Sequence, residues 1–176
     1  MHRIHLNIGS NQGDRKAIIG RAAALIASRL QARRVELSDY VESEPWGYDS
    51  PNPFLNRGLL VLTDAFGDAP LTVLDITRTI EREIAPDSPH RRPDGSYTDR
   101  RLDIDIIDID RRPFCHPRLQ LPHPRAALRP FVMIPLRALD PAAADFVAAT
   151  SPPDSPDRYL IAPNNGGELG EVVEKC

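Results

Sequence analysis

The stretch 100–108, RRLDIDIID, constrains the fold more than any other part of the chain. Side chains on a strand alternate between faces, so Leu102, Ile104 and Ile106 share one face and Asp103 and Asp105 share the other. Aspartate is depleted in strands, because a half-buried pleated surface suits branched apolar side chains. The segment therefore predicts a strand over 101–107 with one face in a core and two carboxylates on the other. At ~3.3 Å per residue the carboxylates are roughly 6–7 Å apart at their bases. At that spacing they can converge on one Mg²⁺ or bracket a pair of ions. A solvated outer face, or pairing with Arg100 and Arg101, is the competing explanation. The surroundings favour the metal clamp. Nine arginines fall between Arg91 and Arg129, and the guanidinium is a planar fork that matches phosphate oxygens.

The rest of the pattern places this strand in an architecture. Residues 3–8 alternate, with Ile4, Leu6 and Ile8 on one face, and predict a first strand. Gly9-Ser10-Asn11 ends it as a turn. Asp14 is placed to cap a helix whose stripe is Ile18, Ala22, Ile26 and Leu30. Residues 34–42 and 54–62 predict two further strands around a Pro-rich loop at 43–53. Asp68 and Pro70 open a second helix with a stripe of Val73, Leu74, Thr77, Ile80 and Ile84, stopping at Pro86. The order is β-α-β-β-α-β, the ferredoxin-like arrangement of the α+β class. A hairpin through Asp110-Arg111-Arg112, returning near 118–121, and a short helix over 126–138 are expected as C-terminal additions. Residues 1–150 read as one domain. Residues 151–176, dominated by Pro, Asn, Gly and Glu, read as an irregular tail.

Several function classes are disfavoured. A net charge of −3 gives no basis for non-specific nucleic-acid binding. No apolar run approaches the ~20 residues of a membrane span, and the N-terminus has no signal-peptide pattern. Cys115 and Cys176 form no C-x-x-C pair, which argues against a zinc site or a disulfide framework. A cytoplasmic location is expected. G-x-x-x-x-G-K-[ST] and G-x-G-x-x-G are both absent, so a bound triphosphate must be held by arginines and metal. The available cations are Arg91, Arg92, Arg100, Arg118 and Arg129. The polar loop 86–99 is long for a compact domain and carries Arg91 and Arg92, which predicts a mobile lid. His123, in LPHPR, can hydrogen-bond a phosphate or serve only as a loop residue. Trp46, Tyr48 and Phe54, near Asn56, can stack on a flat heterocycle and read its edge, or can simply anchor their loop.

Taken together, IGSN, "PWG…NPFLNRG", IERE, DRRLDIDII and LPHPRAALRPFVMIPL resemble the 6-hydroxymethyl-7,8-dihydropterin pyrophosphokinase family over about residues 4–140. The resemblance implies transfer of the terminal two phosphates of ATP, as one unit, to the hydroxymethyl group of a reduced pterin, with AMP as the other product. It implies that Asp103 and Asp105 hold two Mg²⁺ ions. Arg100 and a loop arginine, Arg91 or Arg92, would stabilise charge on the transferring group. Glu81, Arg92, Arg100, Ile106, Arg118, His123 and Arg129 would line the nucleotide site. Asn56 would read the pterin edge, Phe54 and Phe131 would sandwich its rings, and Ser43, Glu44 and Trp46 would complete that pocket. A monomer with no nucleic-acid or membrane partner is implied. Some positions depart from the family's pattern: the loop between Glu81 and Arg100 is longer than usual, and Tyr97 stands where Trp is common. Two rivals stay in view, a two-metal nucleotidyl transferase and a small-molecule-binding regulatory module.

Overall fold

A computed structural model describes residues 1–65, 69–86 and 97–150. The chain is a mixed α/β protein whose main sheet is antiparallel throughout. Strand β1 (His2–Ser10) leads into helix α1 (Arg15–Arg29), then β2 (Arg34–Ser43), β3 (Phe54–Thr63), helix α2 (Pro70–Ile84) and β4 (Asp103–Ile109). The four strands lie in the order β2-β3-β1-β4. Asp14 caps α1 by accepting the Ala17 N–H at 3.1 Å. Pro70 stands in the first turn of α2, where its missing N–H costs nothing. Asp68, and Arg91 and Arg92 of the loop expected to act as a lid, lie outside the described residues, as does the tail 151–176.

The sheet has two dissimilar faces. One packs Ile4, Leu6, Ile8, Leu102, Ile104 and Ile106 against the predicted stripes of α1 and α2. The other is covered at one end by α3 (Pro130–Leu139) and α4 (Pro141–Thr150). There Ile107 joins Val132, Leu136, Ala143 and Val147 in a smaller cluster. A β-bulge makes this possible. Leu6 pairs with Ile106 and His5 with Asp108, so Ile107 is the extra residue. The insertion resets the alternation and keeps Asp108 on the same face as Ile107. Asp108 is then fully buried, 3.3 Å from His5 Nδ1. His5 Nε2 lies 3.3 Å from Asp140, which accepts from Arg3 at 2.8 Å. This chain of charges ties β1 and β4 to the α3–α4 junction, where Asp140 also caps α4 through the Ala143 N–H.

Three sequence expectations need correction. The hairpin after β4 is separate from it: β5 (Phe114–His116) pairs with β6 (Leu119–Leu121). Asp110 and Arg111, both at positive φ, turn the chain away before it can return along β4. The helix expected over 126–138 is a 3-10 turn at Ala126–Leu128 followed by α3. Arg129 is extended because it precedes Pro130. Helix α4 was not expected, although an Asp-Pro start and an alanine-rich run signal it in PAAADFVAAT.

Gly58 lets α3 approach β3, since a Cβ there would meet Pro135 Cβ at 2.7 Å and Leu139 Cδ1 at 3.2 Å. Gly58→Ala is expected to push α3 off the sheet and cost ~1–3 kcal/mol, as overpacking does. Equilibrium urea denaturation checks this, with an unchanged midpoint as the contrary result.

Candidate active site

The end of the second sheet face that α3 and α4 leave uncovered is polar. Gly9 pairs with Asn56 on β3 and with Asp103 on β4, and Asn7 pairs with Asp105. Backbone register thus lines up Asn56, Gly9 and Asp103 across three strands. Two recesses open over this floor. The first is lined by Asn7, Ser43, Glu44, Trp46, Phe54 and Asn56, and on its other side by Arg100, Asp103, Asp105 and Phe131. The second, a cleft of about 440 Å³, is lined by Arg78, Glu81, Ile104, His123, Arg125 and Arg129 together with Arg100 and the two aspartates. The carboxylate pair is the shared wall.

The aspartates are partly exposed to the recesses and matched by cations. Arg100 Nη2 lies 3.5 Å from Asp103, and Arg129 Nη1 lies 2.9 Å from Asp105. His123 Nε2 is 3.8 Å from Asp105. Burial pushes His123 below its ordinary value, with Arg129 and Arg125 acting the same way against the attraction of Asp105. Its ring is therefore neutral near pH 7. Nδ1 accepts the Arg125 N–H at 3.2 Å, so the proton sits on Nε2, facing the cleft. Glu81 accepts the Ile104 N–H at 2.9 Å. It caps the outer edge of β4 while lining the cleft.

Aromatic rings hold the arginines. Arg129 lies 4.6 Å from the Trp46 ring and 5.9 Å from Phe131, and Arg100 lies 5.8 Å from Phe54 and 5.6 Å from Tyr97. Asn56 donates to Ser43 Oγ at 3.0 Å and to the Val41 carbonyl at 3.3 Å. That commits its NH₂ to β2 and turns its oxygen inward. Gly9 leaves room for this oxygen, because a Cβ would stand 3.0 Å from it.

The structure thus brings Ser43, Glu44, Trp46, Phe54, Asn56 and Phe131 into one recess, and Glu81, His123 and Arg129 into the other. Two expected nucleotide-site residues stand apart. Arg118 is on the β5–β6 turn, ion-paired with Asp75 on α2, and Ile106 is packed in the main core. Arg78 and Arg125 line the cleft without having been expected. Asp99 was also missed. It accepts from Asn52 at 2.6 Å, Asn11 at 2.7 Å, Ser50 at 2.9 Å and Tyr48 at 3.1 Å. Asn11 in turn accepts the Arg100 N–H at 2.8 Å. Loop 48–52 is thereby tied to the strand entrance that carries Arg100. Its signal was the Asx and Ser content of DSPN, which reads as loop chemistry alone.

A profile of the 7,8-dihydro-6-hydroxymethylpterin-pyrophosphokinase family matches residues 5–141. The chain belongs to that family. Relatives named 2-amino-4-hydroxy-6-hydroxymethyldihydropteridine pyrophosphokinase agree. The Porphyromonas gingivalis protein is 37% identical over 139 residues, covering 78% of this chain and 90% of the relative. The Bacillus subtilis protein is 30% identical over 75% of this chain and 74% of the relative. The Mycobacterium tuberculosis protein is 32% identical over 87% and 80%. The family's activity is ATP-dependent pyrophosphoryl transfer to hydroxymethyldihydropterin in folate biosynthesis, and this chain has it. ATP as a donor generally implies Mg²⁺. The donor set here suits that ion: two partly exposed carboxylates that share the wall of both recesses. Magnesium takes the remaining ligands from phosphate and water.

Burial alone would raise the Asp99 pKa, but the hydrogen bonds from Asn52, Ser50, Asn11 and Tyr48 outweigh it and hold it below the ordinary 3.8. Tyr48 is pushed up to about 12, by burial first and then by its bond to Asp99. A depressed carboxylate stabilises the fold above its unfolded pKa and loses that contribution as pH falls through the folded value. Asp99→Asn is therefore expected to be destabilised at neutral pH, with the gap to wild type narrowing below about pH 4. Denaturant midpoints across that range check it, and a gap independent of pH would contradict it.

Proposed function

We propose that the two recesses are the pterin and nucleotide subsites of one transfer site, with Asp103 and Asp105 between them as the metal clamp. The observation that carries this reading is the shared wall: both recesses include Arg100, Asp103, Asp105 and Arg129. A reaction that joins two substrates through a phosphoryl group requires such a wall. The Phe54–Asn56–Phe131 recess takes the pterin. The larger cationic cleft takes ATP, with Arg78, Arg125, His123 and Arg129 facing its phosphates and Glu81 at its edge.

The chemistry follows from moving two phosphates as one unit. The hydroxymethyl oxygen attacks the β-phosphorus of ATP. The bond from that phosphorus to the α–β bridging oxygen breaks, and AMP leaves with the electron pair while the hydroxyl proton passes to solvent. Asp103 and Asp105 would hold the two Mg²⁺ ions, which would neutralise charge on the triphosphate. Arg100 is fixed by Asn11 through its backbone and by Phe54 and Tyr97 through its guanidinium, so it meets the developing charge without reorganising. The neutral Nε2–H of His123 donates to a phosphate oxygen.

The strand order β2-β3-β1-β4 with all neighbours antiparallel supports a ferredoxin-like core. Residues 1–150 are the catalytic domain, which contains the matched span 5–141. Both recesses are built by one chain, which supports a monomer. Among the described residues no helix is long and apolar enough to cross a membrane, and the reading places the enzyme in the cytoplasm.

Asp103→Ala and Asp105→Ala are each expected to lose ~3–4 kcal/mol of barrier lowering, in the range of other charge-stabilising groups. AMP release from ATP in the presence of the pterin measures this. Near-wild-type turnover by both folded variants would remove the clamp assignment. Asn56→Ala is expected to weaken pterin binding about tenfold or more and to spare ATP, because it strips one recess of its polar reader. Calorimetric titration with each ligand decides, and the reverse pattern would exchange the two subsites.

A further inference from the structure

Asn7 is a polar side chain in the wrong place for a structural one. It sits on the central strand, only 5% exposed, and lines the recess that holds Asn56. Its Oδ1 is buried with no hydrogen-bond partner. The assignment of that atom follows from its neighbours. The Val41 carbonyl can only accept, so the Asn56 NH₂ faces it. Asn56 Oδ1 then points the other way and requires a donor, which is Asn7 Nδ2 at 3.5 Å. Asn7 Oδ1 is left facing neither. Opposite Asn7 on β3 stands Gly58, which has no side chain to offer, and opposite it on β4 stands the acceptor Asp105. A buried carbonyl oxygen without a donor costs stability comparable to a lost hydrogen bond. Such a cost at the floor of a recess points to a donor that arrives with the ligand.

We infer that Asn7 is a second pterin-reading residue: its Oδ1 accepts an N–H of the heterocycle beside the one met by Asn56 Oδ1. The two amides then present a pair of acceptors, which suits an edge carrying an amino group next to a ring N–H. A wrong heterocycle with an acceptor at that edge would face two oxygens and leave them buried and unmatched. The inference rests on the assignment of this recess to the pterin.

The test uses the full-length protein and the variants Asn7→Ala, Asn56→Ala and the double variant. Titration calorimetry gives the dissociation constants for 6-hydroxymethylpterin and for a non-hydrolysable ATP analogue with Mg²⁺, and thermal melting gives Tm without ligand. Asn7→Ala is expected to raise the pterin Kd about tenfold and to leave the ATP-analogue Kd within about twofold, with Tm somewhat lower because Asn56 Oδ1 loses its donor. A merely structural role, in which Asn7 acts only by holding Asn56, predicts instead that the pterin loss disappears in the Asn56→Ala background. The loss is also expected to persist in the Asn56→Ala background, since Asn7 makes its own contact. An unchanged pterin Kd, an equal loss of ATP-analogue affinity, or a loss that vanishes in that background would each overturn the inference. Failure of the wild-type protein to bind the pterin would instead overturn the subsite assignment on which it stands.

Discussion

The site depends on β1 being paired on both sides. Gly9 is opposite Asn56 on one neighbour and Asp103 on the other. Two strand spacings separate those residues, roughly 10 Å. Backbone hydrogen bonds, not side-chain packing, therefore set the distance between the Asn56 amide and the Asp103 carboxylate. Two substrates that meet over such a floor are aligned by a ladder that is among the stiffest parts of a protein. The same register explains why the residue at the junction is glycine. A side chain there would press on the Asn56 oxygen and against the Phe54 ring.

A single sheet can serve this purpose only if its faces differ. The face toward α1 and α2 is apolar along its length and supplies most of the burial that stabilises the fold. The opposite face is divided. At the His2–His5 end it is closed by α3 and α4 over a run of Arg3, Asp140, His5 and Asp108, the last three buried. At the Asn7–Ser10 end it is open. The bulge at Ile107 marks the division, because it delivers an apolar side chain to the α3–α4 cluster and then returns Asp108 to His5. Without that extra residue Asp108 would fall on the apolar face, where a buried carboxylate has no partner.

Legibility in the sequence followed the range of the interaction. The strands and the first two helices were readable because period-2 and period-3.6 patterns are local, as Ile4-Leu6-Ile8 and Ile18-Ala22-Ile26 illustrate. Asp103 and Asp105 were readable because two carboxylates contradict the strand that carries them. The grouping of Phe54, Asn56 and Phe131 was expected only through resemblance, since nothing local joins Phe54 to Phe131. Arg118 illustrates the limit. It lies among arginines in the sequence, yet the β5–β6 turn carries it to Asp75, and no periodicity encodes that turn's direction. The bulge at Ile107 was equally hidden, because a one-residue insertion shows only against a partner strand. Asn7 was hidden for the opposite reason. It interrupts an apolar strand without breaking it, and its meaning comes from the donors that its neighbours withhold.

The charges of the site are balanced within the chain before any substrate enters. Asp105 is paired with Arg129, and Asp103 faces Arg100. Both arginines are also held by rings, Trp46 and Phe131 for one and Phe54 and Tyr97 for the other. Carboxylates gathered on one strand would otherwise repel, and guanidiniums gathered over them would do the same. Each set makes the other tolerable in a partly buried place. A triphosphate with its divalent ions brings both signs of charge at once, and so it can exchange partners with both sets without leaving either uncompensated. The aromatic contacts keep the arginines near Asp103 and Asp105, which links the order of the recess around Phe54 and Phe131 to the electrostatics of the neighbouring cleft.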